Sequence, residues 1–244
     1  MKTAAIIQAR MGSHRLPGKV LKKLCGHSVL WHIMRRISCS LSVNEVIVAT
    51  SVDPQDDRIV EECRKIGVPV FRGDEEDVLD RFYQASKRIG AELICRITAD
   101  NPLVEPGFID MAVARMTFSQ EDYLGINGCP MGTGIELFTK EFLEYCAENA
   151  IDSYHREHVT PFMKEHSGRF VSQSLQAPDA VAFPDLRLTL DTEADLEFFE
   201  VIYNCLYSET AIIALHDVIQ LVIEKRDVLY RKTDEQYKKI QIGV

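Results

Sequence analysis

Short apolar segments alternate with amphipathic helical segments over the first part of this chain. The apolar segments have the length and the branched side chains of buried strands, and each is followed by a stretch with helical periodicity. This alternation is typical of an α/β fold in which a mostly parallel sheet carries helices on both faces. We therefore predict a Rossmann-like sheet, with strands at residues 3–9, 45–49, 68–71 and 92–97 and helices at residues 29–37, 54–66 and 76–89.

The length of the chain favours one domain. It has 244 residues, of which 46% are hydrophobic, and this is ample for a sizeable core over residues 1–244. Residues 125–174 are richer in turns and break the alternation, so we predict a small insertion or lid that closes one side of the binding pocket. The polar segment 231–244 has two interpretations, a frayed tail or a helix that docks onto a partner.

The loop after the first predicted strand combines cations with glycines. Arg10, Arg15 and Lys19 follow the carboxyl end of that strand, and ligands bind at this edge of an open α/β sheet. Gly12 and Gly18 allow the backbone to approach an anion and to expose its amides to it. The loop therefore predicts a site for a polyanion such as a nucleoside triphosphate.

This loop has two other interpretations. A P-loop has four residues between its glycines and a Ser or Thr after its lysine. Here five residues separate Gly12 from Gly18, and Val20 follows Lys19, so we exclude a P-loop. A solvated basic loop is the other alternative, but three cations beside two glycines at a strand end favour phosphate binding over it.

The same loop, QARMGSHRLPGK at 8–19, resembles the signature loop of the cytidylyltransferases that make CMP-activated acidic sugars. It is most similar to the loop of their spore-coat-polysaccharide-type branch. The resemblance continues in the expected order through RGDEEDVLDR at 72–81, RITADNPL at 96–103, REHVTP at 156–161 and RLTLDTEADL at 187–196. It covers most of the chain, and it implies a nucleotidyltransferase fold and the CTP-dependent transfer of CMP.

The residue types and the resemblance together assign roles. Catalysis is assigned to Lys19, Arg10, Arg15 and Asp100, with Lys19 stabilising the transition state. The expected nucleotide-binding residues are Ala9, Arg10, Gly12, Ser13, Arg15, Lys19, Asp80 and Arg81. The expected acceptor-binding residues are Arg156, His158, Arg187 and Glu136, of which the arginines offer forked partners for a carboxylate.

Some of these residues also fit a purely structural role. Asp80 and Arg81 also fit an ion-pair set on an exposed helix face. His158 also fits a packed and hydrogen-bonded position in a polar helix turn. Arg187 also fits an ion pair with one of two acidic neighbours, Asp185 and Glu193.

Asp100 and Asp191 each follow a strand-like segment, so both carboxylates are expected at the binding edge of the sheet. One or two carboxylates together with substrate phosphates are the usual ligands of Mg²⁺. The alternatives are an Asx turn before Pro102 for Asp100, and a helix cap formed by Asp191 or Thr192. The resemblance makes Asp100 and Asp191 the expected ligands of a Mg²⁺ cofactor.

Charge and geometry together predict nucleotidyl transfer. An acceptor oxygen attacks the α-phosphorus of a nucleoside triphosphate in line with the departing pyrophosphate, without a covalent enzyme intermediate. The resemblance implies that this triphosphate is CTP and that the acceptor is a small anion, an acidic keto-sugar used in surface glycan synthesis. Relatives commonly carry an acidic residue at the position of Gly134, so a phosphonate or a phosphorylated alcohol is an alternative acceptor. A non-catalytic nucleotide-binding relative is a further alternative, disfavoured by the intact Lys19, Asp100 and Asp191.

Net charge and cysteine usage limit the classes of partner and the cellular compartment that the sequence predicts. The formal net charge of -9 lacks the broad positive field of a general nucleic-acid or membrane binder, so neither partner is expected. Seven cysteines without Cys-x-x-Cys spacing predict free thiols in a reducing cytoplasm. The sequence shows neither a signal peptide pattern nor an apolar run of membrane-spanning length, which also favours the cytoplasm. The resemblance implies a homodimer.

Overall fold

The computed structural model describes residues 1–165, 168 and 170–225, so the segment 231–244 lies outside the described residues. The strands are β1 (Thr3–Gln8), β2 (Lys23–Leu24), β3 (His27–Ser28), β4 (Glu45–Ser51), β5 (Val70–Gly73), β6 (Leu93–Thr98), β7 (Tyr123–Asn127), β8 (Glu136–Thr139) and β9 (Ser172–Gln176). The helices are α1 (Val29–Ile37), α2 (Asp57–Ile66), α3 (Val78–Ile89), α4 (Pro106–Thr117), α5 (Lys140–Asn149), α6 (Ser153–His158), α7 (Pro161–Glu165), α8 (Glu193–Leu206) and α9 (Leu215–Glu224).

The central sheet has seven strands in the order β5-β4-β1-β6-β8-β7-β9. β1 pairs in parallel with β4 and β6, and β5 adds in parallel to β4. β8 is antiparallel to β6 and β7, whereas β9 is parallel to β7. Of the described strands of this sheet, β8 alone runs against the others, which confirms the predicted mostly parallel sheet.

Successive residues of β1 point to opposite faces of the sheet, and both faces are covered. Ala5 and Ile7 belong to a buried cluster that includes residues of α1, α2, α4, α8 and α9. Ala4 and Ile6 belong to a second buried cluster, with residues of α3, α5 and α7. Burial on both faces is the reason that β1 reads as a continuous apolar run. The predicted placement of helices on both faces is therefore confirmed.

Two helices start later than the sequence predicts. The helix expected over 54–66 begins as a 3₁₀ turn at Pro54–Asp56 and continues as α2. The helix expected from residue 76 begins at Val78, because Asp77 is its N-cap and accepts a hydrogen bond from the N–H of Asp80 at 2.9 Å. Both shifts leave acidic side chains, Asp56 and Asp77, next to the binding edge.

The region 125–174 contributes to the central sheet as well as to its covering helices. β8 lies between β6 and β7, and β9 pairs with β7 at the end of the sheet. Phe142 and Leu143 of α5 and Met163 of α7 are buried in the second cluster. This region therefore shares the core of the domain, and its closure over a ligand stays a prediction.

None of the helices in the described part of the chain has the length and apolar content needed to cross a bilayer. All seven cysteines lie in that part, and none of them is in a disulfide. Cys63, Cys95 and Cys146 are buried. Burial raises their pKa, that of Cys63 and Cys146 to about 12, so these thiols stay protonated at neutral pH.

Candidate active site

A buried carboxylate and a left-handed glycine shape the loop that follows β1. The Asp56 carboxylate accepts hydrogen bonds from the N–H of Met11 at 2.7 Å and from the hydroxyls of Thr50 and Ser51. Burial opposes the charge of Asp56, but these hydrogen bonds outweigh it and lower the pKa of the carboxyl. Gly18 has a φ of 66° and donates its N–H to the Met11 carbonyl at 3.1 Å. The loop is thereby folded back over the end of β1.

The ammonium group of Lys19 lies between two carboxylates. Its Nζ is 2.7 Å from Asp100 Oδ2 and 2.9 Å from Asp191 Oδ1. Asp100 follows β6, which is paired in parallel with β1, so both strands deliver their loops to the same edge. The N–H of Leu190 donates to the carbonyl of Asp100 at 2.8 Å and brings the next residue, Asp191, to this point. Three residues on which the predicted catalysis depends are therefore in contact.

Asp191 is surrounded by cations. Arg15 Nη2 is 3.3 Å from the oxygen that Lys19 also contacts, and Arg187 pairs with the second oxygen. Burial alone raises the pKa of this carboxyl, but the hydrogen bond and charge of Lys19, with the charges of Arg15 and Arg187, lower it below its ordinary value. Thr192, rather than Asp191, caps α8. The Asp191 carboxylate is therefore free of the capping role and faces cations.

Three cavities adjoin at this edge of the sheet. The central cavity, of about 370 Å³, is lined by residues that include Arg15, Lys19, Asp100, His158 and Asp191. The acidic cavity, of about 1070 Å³, is lined by residues that include Asp74, Glu75, Glu76, Asp77 and Glu157. The amide cavity, of about 870 Å³, is lined by residues that include Asn101, Asn127, Ser172, Gln173 and Ser174. Arg10 borders the central and acidic cavities, and Arg96 borders the central and amide cavities, so the central cavity lies between the other two.

Five of the predicted nucleotide-binding residues line these cavities. Arg10, Gly12 and Ser13 line both the central and the acidic cavity, and Arg15 and Lys19 line the central one. A Cβ at position 12 would lie 3.1 Å from the carboxylate of Glu75, so any larger residue here would push the Glu75 side chain aside. The loop thus faces both cavities at once.

The other three predicted nucleotide-binding residues are placed differently. Ala9 is buried below the loop and donates its N–H to the carbonyl of Ala49. Asp80 Oδ1 accepts a hydrogen bond from Gln84 within α3. Arg81 is not on an exposed face as the structural alternative required, because its side chain is only 1% exposed.

The buried guanidinium of Arg81 has unused donors. Within the described part of the chain, its Nε and Nη1 have no hydrogen-bond partner. Burial and the nearby charge of Arg10 lower its pKa, while Asp56, Glu75 and Asp74 oppose this shift. Leaving two donors of a buried charged group unused is costly, which makes Arg81 a candidate for a role with a ligand.

Glu136 is held by four side chains at the floor of the amide cavity. Its carboxylate accepts hydrogen bonds from Tyr123 and Lys164 at 2.7 Å, from Thr160 at 2.9 Å, and from Arg96 at 2.7 Å. Burial opposes the charge of Glu136, but Arg96 and Lys164 lower its pKa to about 2. Glu136 is therefore ionised and presents Arg96 and Lys164 at the cavity.

Arg96 and Lys164 were not predicted as site residues. Arg96 lies in one of the motifs that carry the resemblance, but its contact with Glu136 depends on the pairing of β6 with β8, in which these two residues are directly opposite. Lys164 lies on α7, and its position follows from the packing of that helix. The local sequence pattern of β6 did not mark Arg96 as a site residue, and that of α7 did not mark Lys164.

The remaining predicted acceptor-binding residues lie outside the amide cavity. Arg156 lines the acidic cavity, where it pairs with Asp77 and donates to the carbonyl of Ala147. His158 lines the central cavity. Arg187 pairs with Asp191 and, at 3.4 Å, with Asp195. The sequence suggested that Arg187 pairs with Asp185 or Glu193. In the structure it pairs instead with Asp191 and Asp195, which follow it by four and eight positions.

Gly134 lines the amide cavity. A Cβ at this position would lie 3.2 Å from Cys129 Sγ. The space next to Gly134 is therefore occupied by a thiol, and an acidic side chain here would require Cys129 to move. Glycine at this position therefore leaves the Cys129 thiol in place at the wall of the cavity.

The residues present fit a hard divalent cation. Asp100 and Asp191 direct one oxygen each at a common cation position, which the Lys19 ammonium occupies. Across residues 1–165, 168 and 170–225, no group of three or more His, Cys, Asp or Glu side chains converges as metal ligands. Two carboxylates are the donor set that Mg²⁺ uses when phosphate oxygens complete its shell.

The sequence model of the cytidylyltransferases matches residues 4–233. The chain belongs to the cytidylyltransferase family. It is 36% identical over 204 residues to the spore coat polysaccharide biosynthesis protein SpsF of Bacillus subtilis, covering 82% of this chain and 85% of that protein. It is 40% identical over 116 residues to the 3-deoxy-manno-octulosonate cytidylyltransferase of Geobacter sulfurreducens, covering 47% of this chain and 45% of that enzyme.

The structure of a cytidylyltransferase from Leptospira borgpetersenii is similar over the whole fold. The TM-score is 0.85 at 29% sequence identity, and the match covers 94% of this chain and 97% of that one. The predicted nucleotidyltransferase fold is thereby confirmed. As a cytidylyltransferase, the protein is an enzyme, and the alternative of a non-catalytic relative is set aside.

Proposed function

We propose that this cytidylyltransferase transfers CMP from CTP to a small acidic keto-sugar and releases pyrophosphate. The contact of Lys19 with Asp100 and Asp191, in a cavity that joins two larger ones, carries the proposal. A nucleotide on one side and an acceptor on the other side would meet at these three residues. The reaction needs this arrangement, because the acceptor oxygen and the α-phosphorus must be held in line.

The triphosphate is assigned to the central cavity. Arg10, Arg15 and Lys19 line it and supply three positive charges next to the glycine loop. The acceptor hydroxyl oxygen forms a bond to the α-phosphorus as the bond to the bridging oxygen of pyrophosphate breaks. The cations stabilise the charge that moves onto the departing oxygen, and the acceptor proton passes to solvent or to a neighbouring base.

The cytosine and ribose are assigned to the acidic cavity. Carboxylates accept hydrogen bonds, and Asp74, Glu75 and Glu76 line this cavity. The exocyclic amino group of cytosine donates hydrogen bonds, whereas the oxygen of uracil at the same position would face carboxylate charge. Arg81 does not line this cavity, but the Nε and Nη1 of its buried guanidinium have no hydrogen-bond partner within the described residues. They are the candidate donors for the carbonyl oxygen and ring nitrogen of the base once the side chain turns into the cavity.

The acceptor is assigned to the amide cavity, whose charge favours a monocarboxylate. Among its described lining residues the charged ones are Arg96, Lys164 and Glu136, so two cations face one carboxylate and one net positive charge remains. A phosphorylated alcohol or a phosphonate, with a second negative charge, would lack a partner for it. The amide and hydroxyl groups that line the rest of the cavity match the hydroxyls of a sugar.

Asp100 and Asp191 would hold Mg²⁺. When bound, the ion neutralises phosphate charge and orients the triphosphate. With the carboxylates holding the ion, the Lys19 ammonium would be available to donate to the phosphates. Arg187, which keeps its pair with Asp191, positions that carboxylate.

The names of the relatives agree with this acceptor class. One relative is a 3-deoxy-manno-octulosonate cytidylyltransferase, and SpsF is a spore coat polysaccharide biosynthesis protein. We extend both to this chain and propose a role in the synthesis of a surface glycan. The homodimer and the cytoplasmic location stay predictions, and light scattering of the purified protein measures the former.

Calorimetry with CTP, UTP, ATP and GTP in the presence of Mg²⁺ tests the nucleotide first. CTP is expected to bind most tightly. Pyrophosphate release is then measured with CTP and a panel of 2-keto-3-deoxy sugar acids, an alkyl phosphonate and a sugar alcohol phosphate. Release with a sugar acid, lost in Asp191→Asn and kept in the exposed neighbour variant Asp185→Asn, supports the proposal. Release with the doubly charged acceptors alone, or no preference for CTP, contradicts it.

A further inference from the structure

One wall of the amide cavity is tied to the strand-like segment that ends at Asp191. Cys129, Pro130, Met131, Gly132 and Gly134 line this cavity. The loop that contains them connects β7 to β8, and it is far from Asp191 along the chain. In the fold, however, it lies against residues 186–190.

Backbone hydrogen bonds make this contact. The N–H of Met131 donates to the Leu186 carbonyl at 2.9 Å, and the N–H of Leu188 donates to the Met131 carbonyl at 2.7 Å. Met131 and Arg187 form a parallel bridge. The N–H of Leu190 then donates to the Asp100 carbonyl. The segment that delivers Asp191 is therefore held at one end by the amide-cavity loop and at the other by the end of β6.

Gly132 is the point of closest approach. A Cβ at this position would lie 2.3 Å from the Leu188 carbonyl oxygen, 2.7 Å from its carbonyl carbon and 2.8 Å from Thr189 Cγ2. Two of these atoms belong to the backbone, which cannot turn aside as the end of a side chain can. Any side chain at 132 must therefore displace the segment that leads to Asp191.

We infer that Gly132 is a positioning residue for Asp191. A displacement of the amide-cavity wall at Gly132 would therefore also displace the Asp191 carboxylate. The inference rests on the proposed use of Asp191 as a metal ligand. Gly132 lines the cavity assigned to the acceptor, but it lines neither the central cavity nor the acidic cavity, to which the nucleotide is assigned. Its effect on catalysis passes through residues 186–191.

Gly128 provides a matched control. It lies at the start of the same loop and has a φ of 78°, close to the 91° of Gly132, so alanine is strained at both positions. A Cβ at Gly128 meets the side-chain oxygen of Gln176 at 3.4 Å, which is ordinary contact. The two alanine variants thus share the backbone strain and differ in the clash with Leu188.

The test measures how much a metal ion strengthens CTP binding. Calorimetry gives the affinity for CTP with Mn²⁺ and with EDTA, for the wild type, Gly132→Ala, Gly128→Ala and Asp191→Asn. Displacing a group that orients a metal ligand costs about 10- to 100-fold in metal affinity. Gly132→Ala is therefore expected to lose about 10- to 100-fold of the Mn²⁺ enhancement, as Asp191→Asn does, and to keep the affinity measured in EDTA. Gly128→Ala is expected to keep both.

Other outcomes separate this inference from the proposed function. Equal enhancement in both glycine variants, whether kept or lost, overturns the inference, because the contact with Leu188 then has no separate effect. If the wild type shows no Mn²⁺ enhancement, the proposed metal site has failed and the inference fails with it. If Gly132→Ala does not fold, Met131→Pro, which removes the N–H that donates to the Leu186 carbonyl, takes its place with the same expected loss.

Discussion

Replacing Glu136 with glutamine is expected to destabilise the protein by about 3 kcal/mol at neutral pH. Arg96 and Lys164 lower the pKa of Glu136 from 4.5 to about 2 against the opposing effect of burial. Each unit of this difference corresponds to about 1.4 kcal/mol of stabilisation of the charged form by folding. The side chains of Arg96 and Glu136 are 16% and 18% exposed, so solvent screens this pair far less than a surface pair.

The effect has a defined pH dependence. Because folding lowers the pKa of Glu136, the ionised carboxylate contributes its full stability above the unfolded-state value near 4.5. This contribution is lost as the pH falls from there through the folded-state value of about 2. The difference between wild type and Glu136→Gln is therefore expected to be constant from pH 7 to about pH 5 and to shrink in more acidic buffer.

Urea unfolding followed by far-UV circular dichroism at pH 7, 5, 4 and 3 measures this difference. Glu144→Gln is the control, since Glu144 accepts a hydrogen bond from the Tyr83 hydroxyl at 2.8 Å, as Glu136 does from Tyr123, but forms no ion pair with a described residue. It is expected to change stability by less than about 1 kcal/mol. A Glu136→Gln variant within about 0.5 kcal/mol of wild type at pH 7, or a difference independent of pH, would refute the reasoning.

Three further substitutions test the site. Lys19→Ala is expected to lower pyrophosphate release by about 100- to 1000-fold while circular dichroism shows an intact fold, and unchanged release would remove Lys19 from catalysis. Asp100→Asn is expected to abolish Mg²⁺-dependent turnover, and a wild-type Mg²⁺ titration would place the metal elsewhere. Arg81→Met is expected to weaken CTP binding about tenfold in calorimetry without lowering the urea midpoint, because a buried charge with two unused donors is removed. A lower midpoint with unchanged binding would make Arg81 structural.

Local chemistry explains which parts of the site could be predicted from the sequence. The loop with Arg10, Arg15 and Lys19 follows directly from a buried strand, and Asp100 follows from another. In a parallel sheet the carboxyl ends of neighbouring strands meet at one edge, so strand order along the chain is enough to bring these residues close. The contact between Lys19 and Asp100 could therefore be predicted from the sequence.

The sequence was not enough to predict contacts that depend on strand register or on helix packing. Arg96 meets Glu136 because β8 enters the sheet antiparallel to β6, and a shift of one residue would turn Glu136 to the other face. Arg156 pairs with Asp77 in the acidic cavity because of the way α6 packs, and its role with the acceptor stays a prediction. The sequence allowed Arg81 to lie on an exposed face of its helix, but it lies on the buried face of α3.

The sequence by itself determined the parallel strands β1, β4, β5 and β6, the loop of cations and glycines after β1, and the family, because these rest on residue type, short-range spacing and the order of motifs. The tertiary structure decided how the three cavities are divided, which cations Glu136 and Asp191 hold, and why Gly132 has no room for a side chain. These features arise where segments distant along the chain meet, at distances of a few ångströms that depend on strand register and helix packing. No local pattern encodes such distances, and the chain reaches them by folding.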